Sequence, residues 1–416
     1  MRTQVSTDLL IYQTGDFGAA VQSFAGGGEE TYHEQKRSVD FVIDLGKTMS
    51  VCVVSRSSSH YDLGVAPGVR AIGLEPRTFD GHGIGRDLVA ELGPKRALVR
   101  LPHLGLIAAA SKAGVPTMPC LADVFDPVPI AALATRRGLR RKVDQWTISR
   151  CFRRPSVTAV CNHSLNATRS LIDTLGVPEE RCVPWEWPQV AVRAEPKDLP
   201  QDRPVNILYV GSLSQAKGIG DLIEAVALLR ARGKSVQLTA IGAGGEREPL
   251  GQRATQPDLQ GSVTFSGRLP KADVRRSMQT ADIICVPTRL EYAEGLPNAL
   301  VEGLASRTPL VVTDHPAMRG RVIDGKTALL AHPSSADSLA ERLTELMEDP
   351  VLYRTLSENA GGAYASLFVG KTWYEVVSAF VDDPVNETGW VAEYSLARRS
   401  AAPSEVADTA GVAALH

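Results

Sequence analysis

The sequence predicts an α/β protein of two tandem, doubly wound, Rossmann-like domains. Three observations carry this prediction. Short, β-branched apolar runs alternate with longer helical patterns; the alternation occurs as two successive series; and a stretch rich in Pro and charge, residues 184–204, separates them. A length of 416 residues is a natural size for two domains.

In the first series, strands are predicted at 9–12, 49–54, 69–72, 97–100, 115–118 and 157–160, with helical stretches at 29–45, 104–113, 129–152 and 164–175. In the second, strands fall at 205–210, 236–241, 263–266, 283–286, 309–312 and 328–330. Its helices fall at 219–232, 271–278, 296–305, 335–347 and 352–365. The expected division is residues 1–188 for the first domain and 189–370 for the second. The chain changes character after about residue 384, and residues 395–416 are rich in Ala, Ser and Arg with little periodicity, so 384–416 reads as a mobile tail. In parallel sheets ligands lie at the carboxyl ends of the strands, so the gap between the domains is the expected site.

Composition removes several function classes. The net charge of −2 gives no electrostatic case for nucleic-acid binding. Residues 1–13 lack a basic region followed by a long apolar run, so no signal peptide is expected. No stretch approaches the ~20 apolar residues of a membrane span. Six cysteines are scattered without a C-x-x-C pair, which fits reduced thiols in a cytoplasm rather than a zinc site.

The most informative stretch is Glu294-Gly295-Leu296-Pro297-Asn298-Ala299-Leu300-Val301-Glu302. Pro297 cannot donate a backbone hydrogen bond, so it belongs in the first turn of a helix. Glu294 then precedes the helix, and Glu302 lies inside it beside an apolar stripe. The two carboxylates stand roughly 10 Å apart at about 1.5 Å of rise per helical residue. Between them lies an exposed helix start, which favours anions such as phosphate. A nucleotide-diphosphate-sugar has a matching layout of hydroxyls, charge and hydroxyls. A surface helix with ordinary acidic positions is the alternative, and Glu302 argues against it, because a buried carboxylate needs a partner.

Other constellations are weaker alone. Gly211-Ser212-Leu213-Ser214-Gln215-Ala216-Lys217-Gly218 follows the first strand of the second domain, so Lys217 suits a diphosphate or simply faces solvent. Gly242-Ala243-Gly244-Gly245 lacks the full dinucleotide fingerprint and reads as a turn near a nucleotide. Gly26, Gly27 and Gly28 form a loop able to face phosphate, or a plain connection. Arg100 and His103 end a first-domain strand; His103 is a candidate base, or a structural histidine. Arg136, Arg137, Arg140, Arg141 and Lys142 cluster on one helical stretch, fitting either anionic lipid head groups or a solvated basic face.

Taken in order, the second-domain motifs resemble the retaining glycosyltransferases of family 4, which have the GT-B architecture of two Rossmann-like domains facing across a cleft. The resemblance covers about residues 205–346. It rests on Gly211 through Lys217-Gly218, the Gly242–Gly245 turn, Val263-Thr264-Phe265-Ser266-Gly267, Ala281-Asp282-Ile283, Val286-Pro287, the two glutamates, Thr308-Pro309-Leu310-Val311 and Ile323-Asp324-Gly325. It implies that Glu294 contacts the donor sugar near the reacting carbon and Glu302 holds the ribose hydroxyls. Lys217 would neutralise the diphosphate, and backbone from Gly295 to Asn298 would cradle sugar and phosphates. Gly211, Ser212 and Arg268 are counted with the donor-binding residues. No metal and no cofactor are implied beyond the nucleotide-diphosphate-sugar co-substrate. Residues 371–383 are expected to form a helix crossing back onto the first domain. The chain departs from the family at Ser212 and Arg307, where Arg and Gly are usual. The family's first-domain histidine is not evident; Ala122-Asp123 stands near its place, and His103 is the substitute candidate.

The expectation is therefore a cytoplasmic transferase, at most peripheral at the membrane's inner face, that moves a sugar to a sugar or lipid-linked acceptor hydroxyl with retention. Polysaccharide or glycolipid assembly is the expected setting. A nucleotide-sugar epimerase or hydrolase of the same fold, and a non-catalytic sugar-nucleotide binding protein, are the alternatives.

Overall fold

A computed structural model describes residues 7–28, 30, 34–81, 83–292 and 294–401. Eight strands form the first sheet: β1 (Leu9–Gln13), β2 (Val51–Arg56), β3 (Tyr61–Ala66), β4 (Val69–Leu74), β5 (Arg96–Val99), β6 (Thr117–Leu121), β7 (Val160–His163) and β8 (Cys182–Trp185). Their order is β3-β4-β2-β1-β5-β6-β7-β8. Every pairing is parallel except β3 with β4. Six strands form the second sheet: β9 (Val205–Val210), β10 (Val236–Ile241), β11 (Val263–Gly267), β12 (Ile283–Val286), β13 (Leu310–Thr313) and β14 (Leu329–Ala331). These run parallel in the order β11-β10-β9-β12-β13-β14.

Burial on both faces explains the near-continuous apolar runs. In β1, Leu10 and Tyr12 pack with Cys52 and Val54 in one core, while Leu9 and Ile11 pack with Val51 and Val53 in another. The second sheet is likewise covered on both sides, by one core around Ile207 and Leu222 and another around Leu208 and Leu300. All six cysteines are free and buried.

Several elements differ from expectation. Strand β3 is exposed along Asp62, Leu63 and Gly64, so it has no apolar run to reveal it. Strand β8 contains Pro184, tolerated because β8 lies at the sheet edge. Strand β7 starts at Val160, where the expected strand ended. The helical stretch expected at 129–152 is a short 3₁₀ segment, Ile130–Ala134, and a helix, Arg136–Phe152, that Thr135 caps.

The end of the chain needs a larger correction. The helix Trp373–Asp382 starts on a capping box of Thr372 and Glu375. It buries Trp373, Val376, Val377, Phe380 and Val381 in a core of the first sheet. Residues 384–401, expected to be mobile, continue with the helices Trp390–Tyr394 and Leu396–Ala401. Trp390, Val391 and Leu396 are buried against the first sheet. Their periodicity is faint because, among the described residues, these last two helices offer only Trp390 and Val391, and Leu396, to the core. The rest of the expected tail, 402–416, lies outside the described residues.

Candidate active site

Strand ends from both sheets open onto a shared cavity of about 700 Å³. Its second-domain wall is built around the loop after β12. Arg289 forks onto Asp221 at 2.7 and 2.6 Å, and His315 Nε2 lies 3.0 Å from the Tyr292 carbonyl. These contacts fix the path of the loop that presents Glu294.

Lys217 Nζ donates to Glu294 Oε2, and Thr288 Oγ1 approaches the same oxygen at 3.4 Å. The ammonium also lies 4.2 Å from the centroid of the Tyr292 ring, a cation–π contact. Lys217 owes its place to Gly218, whose φ is 71° and whose missing Cβ would fall 1.9 Å from the Pro287 carbonyl oxygen. No other residue fits there without moving the lysine.

The helix Asn298–Ala305 begins directly after the loop. Pro297 is its N-cap, one step outside the expected first turn, and no side chain caps the start. Leu296, Pro297, Asn298 and Ala299 line the cavity, so the positive end of the helix faces it. Glu302 lies one turn further in, part-buried in the same wall. Burial holds its carboxyl above the usual glutamate range, against the opposing pull of Lys271 and Arg275. Gly211, Ser212, Arg268 and Gly295 also line this wall. Lys271, which the sequence does not single out, lines the cavity too, and its Nζ reaches across to Glu30 at 3.5 Å and Glu34 at 3.6 Å.

The first-domain wall is less like the expectation. Arg100 is there; it donates to Gln13 Oε1 at 3.0 Å and stacks over Trp373 at 4.9 Å. His103 is not among the lining residues. Its Nδ1 accepts from Leu106 N at 3.0 Å, capping the helix Leu104–Lys112, and its ring rests 5.0 Å from that of Tyr12. The Gly26–Gly28 segment is also outside the lining. The N–H groups of all three glycines close the C-terminus of the helix Phe17–Ala25, donating to carbonyls of Gln22, Ser23 and Phe24, and are not turned to phosphate.

Other residues occupy this wall: Asp123, which the sequence already places near the position of the family's histidine, and His163, which it does not single out. Asp123 is held through its backbone by Asn162, at 3.2 and 2.8 Å, and burial raises its carboxyl pKa. His163, at the end of β7, binds Glu186 at 2.9 Å and stacks on Trp185 at 4.6 Å. A strand placed three residues early hid His163 from the sequence reading. Ser164 next to it donates to the Gly295 carbonyl at 3.3 Å, and a Cβ on Gly295 would fall 2.6 Å from the Ala122 oxygen. The two walls therefore meet at the Glu294 loop, backbone against backbone.

Residues 193–362 match a family model described as "Glycosyl transferases group 1". The chain is 30% identical over 159 residues to an alpha-D-kanosaminyltransferase of Streptomyces kanamyceticus, covering 38% of this chain and 40% of that protein. It is 31% identical over 147 residues to a phosphatidyl-myo-inositol mannosyltransferase of Mycolicibacterium smegmatis, covering 35% and 37%. These matches span about two-fifths of each relative's length. Among solved structures, Anabaena Alr3699/HepE in complex with UDP aligns with a TM-score of 0.59 at 15% identity, covering 92% of this chain and 99% of that one. Sucrose-phosphate synthase from Thermosynechococcus elongatus aligns with a TM-score of 0.61 at 16% identity, covering 95% and 100%. At these identities the likeness establishes the fold, GT-B.

Proposed function

We propose, from the match of residues 193–362 to the group 1 glycosyltransferase model, that the chain transfers a sugar from a nucleotide-diphosphate-sugar to an acceptor hydroxyl, with retention and without a metal, in polysaccharide or glycolipid assembly. One observation carries the reading. Glu294, Lys217, an uncapped helix start and Glu302 share a single cavity wall. Glu302 receives the ribose hydroxyls, Lys217 and the helix start hold the diphosphate, and Glu294 lies against the donor sugar. Arg268 adds a second cation to the same cavity lining, where Ser212 supplies none.

The acceptor hydroxyl attacks the anomeric carbon from the side the diphosphate leaves. The new C–O bond forms as the old one breaks, and the departing phosphate takes the hydroxyl proton. The protein orients both partners and stabilises charge on the leaving group. A thermal-shift screen with UDP, GDP and their sugars tests this: a nucleoside diphosphate bound by the folded state alone raises the melting temperature. Turnover of a nucleotide-sugar without any acceptor would favour an epimerase or hydrolase instead. Binding without turnover across an acceptor panel would favour a non-catalytic sugar-nucleotide binding protein.

Peripheral contact with an anionic membrane through Arg136, Arg137, Arg140, Arg141 and Lys142 is part of the same proposal. Among the described residues no helix is long and apolar enough to cross a membrane. Leu139, Val143 and Trp146, at helical spacing, are 57%, 52% and 59% exposed, and Asp144 is the one acid of their helix. A basic helix with an exposed apolar stripe suits a lipid interface. Co-sedimentation with anionic but not neutral vesicles is expected, with loss in Trp146→Ala; no binding at low salt would contradict it.

A further inference from the structure

His315 follows β13 and is 2% exposed, yet it is not among the residues that line the cavity. Both of its ring nitrogens are engaged. The Ala317 N–H donates to Nδ1 at 3.1 Å, so the ring proton sits on Nε2, which donates to the Tyr292 carbonyl at 3.0 Å. Each contact reaches a different part of the molecule. Tyr292 stands two residues before Glu294. Its ring lies 4.2 Å from the Lys217 ammonium, which in turn donates to Glu294. Ala317 belongs to the turn 316–318, against which the first domain rests. There Asn166 Nδ2 donates to the Arg319 carbonyl at 2.6 Å and lies 3.3 Å from that of Pro316. One imidazole thus joins the turn that meets the first domain to the loop that carries Glu294.

A protonated ring cannot keep both contacts. A second proton would fall on Nδ1 and face the Ala317 N–H, donor against donor, and push the ring off the turn that anchors it. Burial is the largest influence on the ring and holds its pKa below the ordinary 6.5. The Tyr292 carbonyl, Glu294 and Asp126 favour the cation, and Lys217 opposes it. Asp314, next in the chain, is taken by Arg319 at 2.9 Å. We infer that His315 is a positioning residue of the transfer site: its neutral, Nε2-protonated ring holds Tyr292, and through it Lys217 and Glu294, in the reacting geometry, and acid undoes that hold. The inference rests on the transfer reaction proposed above.

Nitrogen NMR of protein labelled at histidine reads the tautomer directly. One resonance, lost in His315→Gln, should report a neutral ring protonated at Nε2 at neutral pH. Release of UDP or GDP from its sugar nucleotide, with the acceptor panel and at saturating donor, reads the consequence. Saturation sets aside any loss of donor affinity through Glu302. Wild-type kcat should fall as pH drops through the value at which that resonance titrates. A Gln amide can still donate to the Tyr292 carbonyl and carries no titrating ring; Asn is too short to reach it. His315→Gln should therefore keep kcat within about threefold of wild type and lose that acid limb, while His315→Asn should lower kcat about tenfold, the scale of one lost hydrogen bond. Each variant drops one of the two bonds, so a merely structural role would lower kcat and melting temperature equally in both. Equal kcat in the two variants, an unchanged acid limb in His315→Gln, or a ring protonated at Nδ1 at neutral pH would overturn the inference. A wild type that binds neither nucleoside diphosphate, or binds one without turning over its sugar, would instead remove the transfer reading, and the positioning role with it.

Discussion

The two walls of the cavity are built from different chemistry. The second-domain wall carries Lys217, Arg268, Lys271 and a helix start, a surface for anions. The first-domain wall carries Trp185, Trp187, His163 and Asp123 with a single cation among the described residues, Arg100, a surface mainly of rings and hydrogen-bonding groups. One suits a diphosphate and the other a neutral hydroxylated ring. Transfer between unlike partners needs unlike walls, brought together at the Glu294 loop.

The largest expected effect lies where the walls meet. Glu294→Ala should lower turnover by about 10²–10³, the range for removing one group that answers charge at a reacting centre. UDP affinity should fall less, and initial rates alongside calorimetry separate the two. Lys217→Ala should weaken UDP binding by about 30-fold or more, as expected when one partner of a desolvated charge pair is cut away. A similar loss for a glycoside acceptor would erase the division between the walls.

Glu302 sharpens the contrast further. Glu302→Gln should weaken UDP about tenfold, since hydrogen bonds to a charged acceptor are the stronger kind. The same variant should be more stable without ligand. Burial raises the native pKa above the ordinary 4.5. A raised native pKa means the native state prefers the protonated carboxyl, so the stability it contributes is complete below the ordinary value and is lost as pH rises through the raised one. The advantage of Gln over Glu should therefore be absent at low pH and full at neutral pH in urea titrations. Wild-type UDP affinity should decline as pH falls through the same raised value. His103→Ala, outside both walls, should cost about 1 kcal/mol as a lost helix cap and leave UDP affinity unchanged.

Legibility followed the same division. The second-domain wall is written in short contiguous motifs, Gly211 to Gly218 and Glu294 to Glu302, whose turn and helix residues announce their own backbone. Both sheets were legible for a similar reason, since strands buried on two faces read as apolar runs. The first-domain wall is assembled from Arg100, Asp123, His163 and Trp187, single residues at the ends of different strands with no local spacing to join them. His103 looked eligible because it follows a strand, but a helix starting at Leu104 uses it as a cap. The glycines at Gly26–Gly28 looked like a phosphate loop, yet a helix end consumes their N–H groups. In each case a local backbone need, invisible to residue type alone, claimed the group first.

Calorimetric titration of UDP and GDP into the wild type and Glu302→Gln tests the central claim most directly. Binding of at least one nucleoside diphosphate by the wild type, about tenfold weaker in the variant, is the predicted result. No heat from either nucleotide, or equal affinity in the two proteins, would contradict a nucleotide-sugar seat on the second-domain wall.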